Sequence, residues 1–229
     1  IDEIEARGAW VLVVGGSGLY LRALLEGIGP LPPSRPESRQ RLLRRLEEEG
    51  LEALWEELAE KDPPTAGRLP KTDRQRILRA LEVLEISGRP LSAWIAEGPF
   101  GARSIPAIRV GLTLSREVLY DRIASRVREM IRQGWVDEVA ALLAQWKDPE
   151  LPAFQAIGYR QIARHLLAGR PLDEAIEETV TATRRFAKRQ MTWFRKDAAI
   201  EWFDAGRTDL VDAVRQHLEA SLAPTGGAT

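Results

Sequence analysis

The chain has 229 residues, a formal net charge of -1, 44% hydrophobic and 29% charged residues, and no Cys. Such a composition belongs to an ordinary globular protein long enough to bury a sizeable core, as one large domain or two small ones. The lack of Cys excludes a disulfide scaffold, a thiol nucleophile and a thiolate metal site, and two His (His165 and His217) argue against a His-based one. There is no signal peptide and no apolar run long enough to cross a bilayer, so a cytoplasmic location is expected by default.

Asp2 to Arg7 reads as a polar helical turn closed by Gly8. Because the chain opens on Ile in what reads like the end of a helix, we expect a fragment of a longer protein. Trp10-Val-Leu-Val-Val14 is apolar and β-branched, as in a central strand of a parallel α/β sheet buried on both faces. It runs into Gly15-Gly-Ser-Gly18, after which Leu19 to Glu26 has helical spacing. Strand, glycine turn and helix make a βα unit of the kind that binds ligands at the strand's carboxyl end. Pro30, Pro32, Pro33 and Pro36 predict a stiff linker and a domain edge.

Ser38 to Lys61 predicts a charged amphipathic helix, broken by Asp62-Pro-Pro64. Asp73 caps a second helix that reaches about Ile86 and closes at Gly88 and Pro90. Leu91 to Ala96 predicts a short helix, and Gly98 to Pro106 a loop. Ala107 to Leu114 alternates and predicts a second strand. Ser115 to Gln133 follows as a long helix with Ser115 and Glu117 in its first turn. Further helices are predicted over Val136 to Trp146, Tyr159 to Ala168, Asp173 to Lys196 and Leu210 to Leu222, with a short strand at Ile200 to Phe203 and a Gly-rich tail from Pro224.

The most informative stretch is Arg184 to Lys196. Arg184, Arg185, Lys188, Arg189, Arg195 and Lys196 follow one another with no intervening carboxylate, and Phe186, Trp193 and Phe194 sit among them. Cations meet phosphates and rings offer stacking surfaces, so nucleic acid is the first partner to test. A solvated basic face with its aromatics in the core is the plainer reading, and it accounts poorly for the missing acids.

Other motifs carry less alone. Gly15 to Tyr20 is not a Walker A loop, because its Lys is absent. Its glycines and the Ser17 hydroxyl fit either an oxyanion site or a tight turn without ligand. Arg76, Arg79 and Glu82 lie one turn apart, which solvated ion pairing explains as well as phosphate contact. Arg122 and Arg126 stand at i, i+4, a spacing that suits a diphosphate clamp and is also common on exposed helices. Ala156-Ile-Gly-Tyr-Arg160 opens a helix with a ring and a cation to offer, or with ordinary helix-start chemistry and a packed Tyr.

Taken in order, several segments resemble the tRNA dimethylallyltransferase (tRNA isopentenyltransferase) family. They are Gly15 to Tyr20 followed by Leu24-Leu-Glu-Gly27, Asp73 to Val83, Gly88-Arg-Pro-Leu91, Ala156 to Gln161, and Ala182 to Trp193. The similarity runs through nearly the whole chain, and the last two motifs are quite specific to the family. It implies an α/β fold, helix-rich overall, with a partial P-loop-NTPase-like parallel sheet core at 1–36 and 104–229. A helical insertion domain at 37–103 would grip the anticodon arm.

The implied reaction moves a dimethylallyl group from dimethylallyl diphosphate to N6 of an adenosine beside the anticodon. Mg²⁺ would be held mainly through the diphosphate and an N-terminal segment, with no metal ligand in this chain. The implied partners are the tRNA anticodon arm and dimethylallyl diphosphate, with no membrane, and the protein would be a monomer. By resemblance Ser17, where the family usually has Thr, contacts substrate, and Arg126 steadies the leaving diphosphate. Substrate and tRNA contacts would come from Gly15, Gly16, Tyr20, Arg39, Gln75, Arg76, Arg79, Ile157, Gly158, Tyr159, Arg160, Arg184, Lys188, Arg189, Gln190, Trp193 and Arg195. Thr72-Asp73 departs from the more usual Asn-Asp. The family's P-loop and its general-base Asp do not occur before Ile1, so we expect roughly the first third of such an enzyme to be missing. Two other functions fit some of these features: an adenylate isopentenyltransferase using free nucleotides, and a non-catalytic RNA-binding module.

Overall fold

The computed structural model describes residues 1–27, 29, 31–97 and 105–222. Most of the expected 98–106 loop, Pro30 of the expected linker and the tail from Pro224 lie outside the described residues. The chain forms two compact units, Leu19–Ala107 and Ile1–Gly18 with Ile108–Thr229.

The Leu19–Ala107 unit is helical. After α1 (Asp2–Glu5) in the other unit, α2 (Gly18–Glu26) leads into α3 (Pro36–Lys61), α4 (Pro63–Ala66), α5 (Arg74–Ser87) and α6 (Leu91–Ala96). The stretch read as one helix from Ser38 is interrupted at Gly50, whose φ of 84° and ψ of 166° leave the helical region. The apolar spacing continues across this residue, which hides the break from a periodicity argument. Leu42, Leu54 and Leu58 of α3 meet Ile77, Leu78 and Leu81 of α5 in one core. At ~1.5–3 kcal/mol per buried aliphatic side chain, that core dominates the unit's stability.

Two buried carboxylates tie the loops to this core. Asp62 caps α4 by accepting from Thr65 N at 3.2 Å and also accepts from Ser92 N at 3.0 Å, which fastens α6. Glu82, 1% exposed, accepts from Ser34 Oγ, from Arg35 N at 3.3 Å and from Arg79 Nη1 at 2.9 Å. Burial opposes the charge on both groups, but the hydrogen bonds outweigh it and hold each carboxyl below its ordinary range. At α5 the expected caps are present: Asp73 accepts from Arg76 N, and Gly88 is left-handed at φ 67°.

The other unit carries the sheet. β1 (Arg109–Thr113) and β2 (Ile200–Asp204) pair in parallel, with Gly111 opposite Trp202. A Cβ at Gly111 would lie 2.7 Å from the Trp202 ring, so the indole occupies the side-chain space glycine vacates. The helices are α7 (Arg116–Arg132), α8 (Trp135–Trp146), α9 (Tyr159–Ala168), α10 (Leu172–Phe194) and α11 (Leu210–Leu222). Ser115 caps α7 by accepting from Val118 N. Helix α10 packs on α7 and α9, and a second core gathers Trp135, Val139, Phe154 and Ile162.

One expectation fails here. Trp10 to Val14 form no strand, and Trp10, Leu12 and Val14 are 80%, 86% and 85% exposed. A strand exists only as a pairing, and the ladder among the described residues joins β1 to β2 alone. The β-branched composition that signals a buried strand marks an extended segment without a neighbour.

Candidate functional site

Helix α10 changes character along its length. Its first half carries Asp173, Glu174, Glu177 and Glu178, and buries Ala175, Thr179 and Val180 against the neighbouring helices. Glu174 and Glu178 pair with Arg170, and Glu177 with Arg128. No residue of its second half is fully buried. There and just beyond its end, Arg185, Lys188, Arg189, Arg195 and Lys196 are exposed, and no carboxylate pairs with any of them among the described residues. Acids at the amino end and cations at the carboxyl end both suit the helix dipole. Trp193, 42% exposed, stands among Lys188, Arg189, Thr192 and Lys196 in a shallow recess of about 220 Å³. A ring ringed by cations suits a base flanked by phosphates.

A larger cavity of about 500 Å³ opens at the carboxyl ends of both strands. Its walls are Leu112 to Leu114 at the end of β1, Arg116 and Tyr120 of α7, Lys188, Gln190 and Met191 of α10, then Arg195, and Ala205 beyond β2. Ligands of open parallel sheets bind at this edge, and the volume lies within the range of small-molecule sites. Arg184 and Arg116 approach the Tyr120 ring, at 4.9 and 5.1 Å from its centroid. Arg184 Nε is buried with no hydrogen-bond partner.

The glycine turn meets the same helix. Gln190 Nε2 donates to Gly16 O at 2.7 Å, and Gly18 lies against the Trp193 indole. Ser17 is exposed between these two contacts, and Gly15 is exposed beside them. Gly15, Gly16, Ser17, Lys188, Gln190, Trp193 and Arg195 are thus brought to one region. Arg126 is exposed on α7, lines neither cavity and has no acidic partner among the described residues.

Residues 157–160 have a different setting. Gly158, at φ 93°, is buried, and a Cβ there would lie 1.9 Å from Trp135. Tyr159 meets Trp135 edge-on at 5.8 Å and donates to Glu138 Oε1 at 2.5 Å, a bond that raises its own proton affinity. Ile157 is half-buried and Arg160 exposed. In the helical unit Tyr20 is 75% exposed, Arg39 half-buried, and Gln75 and Arg76 exposed on the first turn of α5. Arg79 is committed to Glu82 and to the Pro32 carbonyl, which its Nη2 meets at 2.6 Å.

Sequence reasoning missed Arg116 and Tyr120. An Arg and a Tyr one turn apart beside an N-cap carry no signal until Arg184 is seen on the same ring. Among the described residues no group of three or more His, Asp or Glu could hold a metal ion. No helix among the described residues is long and apolar enough to cross a membrane.

The family model described as IPP transferase matches residues 1–197. A tRNA dimethylallyltransferase of Syntrophobacter fumaroxidans is 48% identical over 91% of this chain and 61% of its own length. One from Geobacter sulfurreducens is 43% identical over 89% and 66%. The chain therefore spans less than two thirds of either relative. Among solved structures, a tRNA isopentenylpyrophosphate transferase of Bacillus halodurans is similar over 96% of this chain and 69% of its own, at 31% identity and a TM-score of 0.60. A eukaryotic dimethylallyltransferase acting on tRNA is similar over 96% and 57%, at 25% identity and a TM-score of 0.71. With the family model matching most of its length, the chain belongs to the IPP transferase family.

Proposed function

We propose that this chain serves transfer of a dimethylallyl group from dimethylallyl diphosphate to N6 of an adenosine next to the anticodon of tRNA, in the cytoplasm. The observation that carries the reading is the acid-free cationic half of α10, with a ring in its midst and the Ser17 turn seated on it. A polyanion with splayed bases is the partner such a surface suits.

The chemistry asks for three things. The exocyclic amine is a weak nucleophile, because its lone pair is delocalised into the ring, so a base must accept its proton as the C–N bond forms. The allylic carbon leaves diphosphate with cationic character, so positive charge must meet the developing anion, a task for a guanidinium with no acidic partner among the described residues, such as Arg126. The adenosine must leave its stack, which a protein gripping an anticodon loop promotes. Mg²⁺ would accompany the diphosphate as its counter-ion. The 229 residues contain neither a Gly-rich P-loop with its Lys nor an assigned general base. Alone, they should bind tRNA and turn over little.

The test compares acceptors in the full-length protein. Prenylation of tRNA with no product from AMP supports the reading; AMP used as well as tRNA overturns it in favour of a free-nucleotide enzyme. Arg126→Ala should lower kcat by ~10²-fold while tRNA binding changes less than about threefold. Equal losses in both would remove Arg126 from the leaving-group role.

A further inference from the structure

Gln190 and Trp193 lie on the face read above as RNA-facing, yet both side chains already have a partner. Gln190 gives one amide hydrogen to Gly16 O at 2.7 Å. A Cβ on Gly16 would lie 2.3 Å from that same nitrogen. A Cβ on Gly18 would lie 2.0 Å from both Cδ1 and Nε1 of Trp193. Such approaches are far inside contact distance: at Gly18 the rigid indole excludes a side chain, and at Gly16 a side chain would displace the Gln190 amide from its hydrogen bond.

The backbone itself does not demand glycine here. Neither Gly16 nor Gly18 has the positive φ that only glycine adopts without strain, whereas Gly8, Gly50, Gly88 and Gly158 do. Nothing lies within 4 Å of the Cβ position of Gly15. Gly18 is therefore explained by the indole that α10 presses against it, and a side chain at Gly16 would cost the Gln190 hydrogen bond.

We propose that Gln190 and Trp193 are positioning residues: they clamp the Gly15–Gly18 turn, and with it the Ser17 hydroxyl, to the RNA-receiving helix. The proposal rests on the functional reading above only for what the clamp serves. The clamp itself is a matter of geometry. Lys188, Arg189 and Lys196 surround the ring on which Gly18 sits, so a polyanion docking there acts on the helix that holds Ser17. RNA capture and alignment of the Ser17 hydroxyl are then linked through two side chains.

A double-mutant cycle on the full-length protein tests this. Gly16→Ala should lower the thermal midpoint when residue 190 is Gln, and have little further effect in the Gln190→Ala background, because the clash is gone. Equal effects of Gly16→Ala in both backgrounds would overturn the clamp. For function, Gln190→Ala should lower kcat by ~10-fold with tRNA affinity within about twofold, the pattern of a displaced group. Parallel losses of affinity and kcat would make Gln190 an RNA contact and overturn its positioning role. Trp193→Phe, which keeps a ring under Gly18, should retain more kcat than Trp193→Ala; equal losses count against the clamp. Because the thermal cycle needs no substrate, it stands or falls separately from prenylation. A coupled cycle in a protein that does not prenylate tRNA would sink the functional reading and leave the clamp.

Discussion

The helical unit and the second half of α10 treat their cations in opposite ways. In the helical unit Arg41 pairs with Glu85, Arg45 with Glu49 and Glu57, Lys61 with Glu57, Arg79 with Glu82, and Arg89 with Glu97. In the other unit the second half of α10 carries a run of cations with no acidic partner among the described residues. The chain's net charge of -1 conceals this separation. Charge neutralised within the fold fastens one helix to another and has little left for a ligand. Charge left unneutralised repels itself in the free protein and gains most when a polyanion arrives. The absence of an internal partner, more than position on a surface, leaves a cation available to a ligand.

The largest effect that would sharpen this contrast is on binding. Replacing Lys188, Arg189 and Lys196 together by Ala should weaken tRNA binding by ~10²–10³-fold at moderate salt. Replacing the paired Arg41, Arg45 and Arg89 should leave affinity within about threefold. Filter binding of both triple variants checks this, and equal losses would break the comparison.

Next in size is the buried carboxylate of the helical unit. Glu82→Gln leaves Arg79 facing a neutral amide in a site of three donors, and should cost ~1–3 kcal/mol in chemical denaturation. The same group gives a pH dependence. Glu82 and Asp62 are held below their ordinary values of 4.5 and 3.8 in the folded state. Their contribution is therefore complete above the unfolded values and lost as pH falls through the lower folded ones. The thermal midpoint should drop as pH is taken below ~4, and less steeply in Glu82→Gln. An unchanged acid limb would show that this carboxylate is not ionised in the fold.

The smallest effect is expected at Arg45. Its link to Glu57 spans the break at Gly50, while that to Glu49 lies before it, and both are partly exposed, so Arg45→Ala should cost ~1 kcal/mol or less. A larger loss would mean that the bridge, and not the leucine core, holds the two parts of α3 together.

Local chemistry made much of this fold legible in advance. Asp73, Ser115 and Gly88 mark helix ends because a cap is made within a few residues of itself. Alternation at Ala107 to Leu114 and the apolar Ile200 to Phe203 located both strands. What failed depends on partners distant in sequence. Trp10 to Val14 has strand composition, but pairing decides a strand, and composition says nothing of pairing. Gly50 breaks α3 without disturbing its leucine spacing. The glycines at 15 to 18 announced a turn, while Gly18 is fixed by Trp193 and Gly16 is held by Gln190, both from the far end of the chain. Gly158 was legible as a helix start, and its need for glycine comes from both its positive φ and Trp135.

The most direct measurement is the salt dependence of tRNA binding. We expect the logarithm of the association constant to fall linearly with the logarithm of salt concentration. Removing Lys188, Arg189 and Lys196 should reduce the slope by ~2–3. A slope that stays the same after their removal would contradict the assignment of α10 as the RNA-binding face.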